Sequence, residues 1–323
     1  MARQSTSSSA SSRPNSAHQA SGHSAPASEG ETVHRSEKAT AQGITTEGEH
    51  EGENDYTEIQ SPFTSKPVPF DSSLLPGGKR SLSSISTQAF LLGIAFATSL
   101  ILGAQYAWKG NTIWRPFAFL ASLSLFHFLE FWVTATYNVP VVRASSFLLW
   151  TNGMAYNIAH LSAMIEIIVS NWIFPSYQKR YVNSITIAIG LFLVIFGQAC
   201  RTLAMATAGT NFNHTPQRTK QDGHELVTSG IYAYSRHPSY FAFFWWAVGT
   251  QVLVGNKICL VAFFAFLWNF FYTRIQGKFY IVCFCGGTSA DIVATAEERY
   301  LVEFFGRDYE NYRKRTMTGI PFI

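Results

Sequence analysis

Cysteine is scarce in this 323-residue chain, and the four present (Cys200, Cys259, Cys283 and Cys285) make no disulfide framework. Two fall inside very apolar runs. The other two form a lone C-x-C without the second ligand pair that a structural zinc site needs. No G-x-G-x-x-G loop is present, so a Rossmann-type nucleotide site is not indicated. There is no inverted repeat, no regularly spaced arginine helix and no filter-like loop, which leaves no sign of an ion pathway. Residues 1–84 have almost no aromatic side chains and are rich in Ser, Gly, His, Thr and Glu. Such a segment buries too little apolar surface to offset its ordering entropy, so a disordered tail is expected there. It also lacks the apolar stretch of a secretory signal.

What the tail lacks, the remainder has in excess. "QAFLLGIAFATSLILGAQYAW" from Gln88 is long enough to cross a hydrocarbon core of roughly 30 Å. "WRPFAFLASLSLFHFLEFWVTA", "SSFLLWTNGMAYNIAHLSAMIEIIVSNWIF" and "VNSITIAIGLFLVIFGQAC" follow. A fifth region, from Tyr240 to Tyr272, breaks at "VGNK" and reads as a tight helical hairpin. Trp108, Trp114, Trp150, Trp172, Trp245 and Trp246 lie near segment ends, where amphipathic rings favour the interface. The expected fold is all-α: a polytopic transmembrane bundle over 85–208, then a region over 209–323 that contains the hairpin. Basic residues flank successive loops, so charge bias alone leaves the orientation open.

Ionisable residues within spans are expensive and are functional candidates by default. Here they are His127, Glu130, His160, Glu166 and Arg201. His127 and Glu130 share a helix face and read as interhelical hydrogen-bonding partners, with a polar cavity as the alternative. The densest run of capable side chains follows Arg201: Gln217, Lys220, His224, Tyr232, Arg236, His237, Ser239 and Tyr240. Pro238 suits the first turn of a helix, where its missing N–H is not needed. Singly, Arg236, His237 and Tyr240 read as headgroup anchors.

Together, "AMATAGTNFNH", "HELVTSGIYAYSRHPSYFAFFWWAVGTQ" and "EERYLVEFFGRDYENYRKR…GIPFI" resemble the isoprenylcysteine carboxyl methyltransferase family, over about 88–323. The resemblance implies methyl esterification of the prenylated C-terminal cysteine of CaaX-processed proteins, small GTPases among them. It implies S-adenosylmethionine as cofactor and an endoplasmic reticulum membrane with the site facing the cytosol. It assigns the cofactor to Gln217, His224, Glu225 (through its backbone), Leu226, Val227, Tyr232, His237, Pro238, Ser239 and Tyr240. Arg274 would hold the substrate carboxylate and Glu297 would contact the cofactor. No metal and no nucleic acid are expected. A related phospholipid methyltransferase is the alternative enzyme.

The family's arginine and glutamate stand four positions apart, whereas Arg274 and Glu297 are 297 − 274 = 23 apart. Removing 277–295 leaves one alanine between Gln276 and Glu297 and restores that spacing. Gly277-Lys278-Phe279 is encodable as a splice donor, Ala290-Asp291 as a branch point and Thr295-Ala296 as an acceptor. The cut removes 19 × 3 = 57 nucleotides and keeps the frame. A retained intron is therefore expected, and with it an impaired or inactive polypeptide; a lineage-specific loop is the rival.

Overall fold

Long apolar runs free of proline fold as helices, because every backbone group must be satisfied within the segment once water is excluded. The computed structural model describes residues 71–277 and 297–323, and among these residues it is all helical. The expected tail over residues 1–70 and nearly all of the 277–295 insertion lie outside the described residues. In chain order the helices are α1 (Leu82–Trp108), α2 (Trp114–Tyr137), α3 (Met154–Ile173), α4 (Pro175–Tyr181), α5 (Ser184–Ala208), α6 (Pro238–Val254), α7 (Ile258–Gln276), α8 (Glu297–Phe305) and α9 (Arg307–Arg315). Four of them, α1, α2, α5 and α7, are long and apolar enough to cross a membrane. The hairpin break falls where expected: α6 ends at Gly255, in the left-handed region at φ 69°, and α7 begins three residues later.

Three expectations need correction. Regular structure starts ahead of Gln88 and inside the expected tail, because the Ser81 hydroxyl accepts from Ser84 N at 3.3 Å and opens α1 at Leu82. The third apolar segment is not helical from Ser145. Its first residues form a 3-10 turn, Leu148 is left-handed at φ 57°, and α3 begins only after Gly153. Trp246 is no interface anchor. It is 1% exposed and stacks on Phe126 at 4.3 Å in the core, whereas Trp108 and Trp172 are 93% and 85% exposed.

The central helix is α6, buried on nearly every side, as expected for a helix that is apolar all round. It runs antiparallel to α5 at very close range. A Cβ at Gly197 would stand 2.6 Å from Trp246 N, and one at Gly249 would stand 2.6 Å from Leu193 Cβ. Small residues permit this approach, which dispersion then rewards in the absence of a hydrophobic drive between helices. Phe119, Phe126, Ile167, Phe263 and Phe271 fill the space around it. The C-terminal segment returns to the start of α6: Arg236 N donates to Met317 O at 2.8 Å, and Ser235 Oγ to Thr318 O at 2.6 Å. Trp268 Nε1 donates to Pro321 O at 2.9 Å, tying the same segment to α7.

Candidate active site

One end of the bundle gathers the C-termini of α5 and α7, the N-terminus of α6, the 209–237 segment and the short helices α8 and α9. All of these but α7 line an open cleft. All the residues expected to hold a cofactor line it: Gln217, His224, Glu225, Leu226, Val227, Tyr232, His237, Pro238, Ser239, Tyr240 and Glu297. Pro238 occupies the first turn of α6, as its missing N–H favours.

Arg274 stands behind this wall. Its guanidinium carbon lies 5.3 Å from the centroid of the Tyr240 ring, and Nη2 donates to the His214 carbonyl at 2.6 Å. The Tyr240 hydroxyl donates to Glu297 Oε2 at 2.6 Å. Arg274 and Glu297 therefore meet at one tyrosine, although 23 positions separate them in sequence.

Several residues of the cleft and its cap carry no assignment from sequence. Glu298, the partner of Glu297 in the Glu-Glu pair, is the hub that docks α8 on α6. Its Oε1 accepts from Arg236 Nε at 3.0 Å, from His237 Nε2 at 3.0 Å and from the Tyr309 hydroxyl at 2.9 Å. Burial raises the pKa of this carboxyl, but the hydrogen bond and charge of His237, the Arg236 charge and the Tyr309 hydroxyl outweigh it and hold it at about 2. On the other face of α8, Tyr300, Leu301, Phe304 and Phe305 line the cleft. Their i, i+1, i+4, i+5 spacing is the sequence signal for that apolar face.

The phenols of the site stay protonated. Burial, then the charge of Glu297, pushes Tyr232 up; burial, then Glu298, does the same for Tyr309. Burial carries Tyr312 to about 12. The imidazole of His224 is pushed down by burial and by the Lys220 charge, which keeps it neutral at pH 7. Its Nδ1 is buried without a hydrogen-bond partner and its ring packs on Phe305 at 5.2 Å.

Beneath the cleft, Glu130 pairs with Arg201 through two bonds, Nε to Oε1 at 2.6 Å and Nη2 to Oε2 at 2.9 Å. His127 turns elsewhere. Its Nδ1–H donates to the Phe147 carbonyl at 2.8 Å, so Nε2 accepts from the Tyr156 hydroxyl at 3.1 Å. Both residues join separate elements, in keeping with the interhelical reading, but they do so in different networks. Among the described residues no group of three or more His, Cys, Asp or Glu is placed to hold a metal.

These features define a class: a membrane-embedded helical protein whose polar cleft is built at one bundle end by a loop and two amphipathic helices. Comparison with known proteins narrows it. The model of the isoprenylcysteine carboxyl methyltransferase family matches residues 188–278. The protein-S-isoprenylcysteine O-methyltransferase of Saccharomyces cerevisiae is 39% identical over 245 residues, covering 75% of this chain and 92% of that protein. The Homo sapiens protein of the same name is 39% identical over 74% of this chain and 75% of its own length. A solved structure of the eukaryotic intramembrane Ras methyltransferase superposes with a TM-score of 0.64 at 32% identity, covering 74% of this chain and 77% of the other. The chain belongs to the isoprenylcysteine carboxyl methyltransferase family.

Proposed function

We propose that this chain methylates the C-terminal carboxylate of isoprenylated cysteine in CaaX-processed proteins, with S-adenosylmethionine as the methyl source. The observation that carries the reading is the junction at Tyr240, which has a guanidinium over its ring and a carboxylate on its hydroxyl. A guanidinium and a carboxylate thereby meet at one half-buried side chain, which supports a cation for the substrate next to an anion for the cofactor.

The cleft suits the cofactor. Its donor set is mixed: protonated phenols, a neutral imidazole with an orphaned nitrogen and the Glu297 carboxylate, which match a zwitterion bearing hydroxyls. When bound, the cofactor supplies an electrophilic methyl on a sulfonium. Gln217, the 224–227 run, Tyr232, the 237–240 run and Glu297 would hold it.

The chain need not provide a general base. The substrate's α-carboxyl has a pKa near ~3.5 and is already ionised. Arg274 supplies a planar donor fork that stays charged while gripping a carboxylate. Its Nε is buried and makes no hydrogen bond among the described residues. Orientation and exclusion of water by the aromatic walls then provide most of the acceleration. The apolar bundle beside the cleft accounts for a lipidated substrate, since each buried CH₂ of a prenyl chain contributes ~0.8 kcal/mol. In this reading the cleft opens to the cytosol from the endoplasmic reticulum membrane, and 277–295 derives from a retained intron.

The direct test is Arg274→Lys assayed on N-acetyl-S-farnesylcysteine. Methyl transfer is expected to collapse while S-adenosylhomocysteine binding persists. Undiminished transfer would remove Arg274 from the site.

A further inference from the structure

Glu130 and Arg201 lie under the cleft rather than on its wall, yet their bonds lead to it. Glu130 is 1% exposed and takes Arg201 on both oxygens. The remaining nitrogen, Arg201 Nη1, donates to Ser239 Oγ at 2.7 Å, in the first turn of α6. Glu130 Oε2 also accepts from His214 Nε2 at 2.9 Å. The backbone carbonyl of His214 is the group that receives Arg274 Nη2. Two further contacts hold the same loop: Asn138 Nδ2 donates to Phe212 O at 3.0 Å, and the Arg201 guanidinium sits 5.9 Å from the centroid of the Phe212 ring.

A buried ion pair is weak as a source of stability, because desolvation consumes most of its Coulomb energy. Apolar residues of similar volume would join α2 to α5 as well. A bidentate pair does something they cannot: it fixes the direction of a carboxylate, and so the direction of whatever else bonds to that carboxylate.

We propose that Glu130 and His214 are positioning residues for Arg274. The buried carboxylate fixes His214 through Nε2, and His214 fixes one guanidinium nitrogen through its carbonyl, leaving the other N–H groups of Arg274 for the substrate. A carbonyl suits this role because it is neutral. A carboxylate there would orient the guanidinium equally well but would compete with the incoming carboxylate for its charge. Among the described residues Arg274 has no carboxylate within 4.0 Å. The inference rests on the reading of Arg274 as the carboxylate anchor.

The test uses the full chain in lipid nanodiscs and three titrants: N-acetyl-S-farnesylcysteine, its methyl ester and S-adenosylhomocysteine. The readout is the preference for acid over ester, which a general loss of folding does not move selectively. His214→Ala is expected to lower that preference roughly tenfold, the scale of one hydrogen bond to a charged group. S-adenosylhomocysteine affinity should hold. His214→Gln, which keeps a donor for Glu130, should restore the preference, and Glu130→Gln should reduce it. Arg274→Lys separates the two readings. If Arg274→Lys loses the preference and His214→Ala keeps it, the positioning role is wrong and the anchor stands. If Arg274→Lys itself keeps the preference, the anchor is wrong and the positioning role falls with it. Parallel loss of S-adenosylhomocysteine binding in His214→Ala would also overturn the proposal, by showing that the loop serves the cofactor cleft instead.

Discussion

Replacing Glu298 by glutamine should loosen the cap of the cleft without touching the membrane bundle. The carboxylate accepts from Arg236 and His237, just ahead of α6, and from α9 through Tyr309, so its charge ties α8 to both. Its pKa falls from 4.5 to about 2, and at 1.36 kcal/mol per unit this is worth ~3 kcal/mol. Glutamine keeps one oxygen that can still accept, worth ~1 kcal/mol, which brings the expected loss to about 2 kcal/mol; Arg313 Nε at 3.7 Å, on a side chain 56% exposed, is screened by water and adds little. The sign follows from proton counting. With the folded pKa lowered, the contribution is complete above about 4.5 and is lost as pH falls through about 2. Hydrogen–deuterium exchange in nanodiscs should show amide protection over 297–315 falling about thirty-fold in Glu298→Gln, the rate equivalent of that energy. The exposed Glu303→Gln is the control and should change nothing. Unaltered protection in Glu298→Gln, or protection of 297–315 that does not weaken as pH falls from about 4.5 towards about 2, would refute this account of the cap.

Other outcomes follow from the same geometry. Glu130→Ala leaves Arg201 buried and unpaired, so thermal unfolding in nanodiscs should show a loss of roughly 3–5 kcal/mol, most of it recovered by adding Arg201→Leu. Gly197→Leu forces α5 off α6 and should destabilise by at least about 1–3 kcal/mol, whereas Gly93→Ala, with open space around it, should be neutral or slightly stabilising by the same measurement. Deleting 1–70 should leave methyl transfer intact, while extending the deletion through Ser81 removes the α1 cap and should cost about 1 kcal/mol of stability.

The legible parts of this fold are those fixed by local chemistry. "VGNK" marks the hairpin because a left-handed residue is needed there and glycine supplies it at φ 69°. Pro238 marks the start of α6 for an equally local reason. Position in a three-dimensional core is not local, so Trp246 reads wrongly as an interface ring: nothing in its neighbourhood distinguishes that placement from a stack on Phe126, 120 positions earlier. The start of α3 is hidden because "SSFLLW" is apolar enough to pass for helix, and the left-handed Leu148 carries no sequence mark. The lining of the cleft is legible through resemblance alone, since no spacing rule connects Gln217 to Glu297. Glu130 and Arg201 stand out as costly intramembrane charges, but their pairing across 71 positions is not readable.

In sequence, the interruption between Arg274 and Glu297 looks as though it should separate them. The structure brings them together by another route. Glu297 is held by Tyr240, and Glu298 by Arg236 and His237, all at the start of α6. Arg274 is held by the His214 carbonyl. None of these bonds runs along a continuous α7–α8 helix, so the two side chains are placed by separate anchors on a shared scaffold. The nineteen extra residues then add a closure entropy of ~0.6 kcal/mol for each doubling of length, about 2–3 kcal/mol from one linking residue to twenty, which falls on folding rather than on side chains already anchored elsewhere. On that basis the full-length chain should fold and bind S-adenosylhomocysteine, and deleting 277–295 should raise methyl transfer only a few-fold. Sequencing of mature transcripts decides the origin of the segment, and the rate comparison decides its effect. A full-length chain that binds the cofactor analogue normally yet transfers no methyl group, with activity returning on deletion, would show that covalent continuity between α7 and α8 sets the geometry after all.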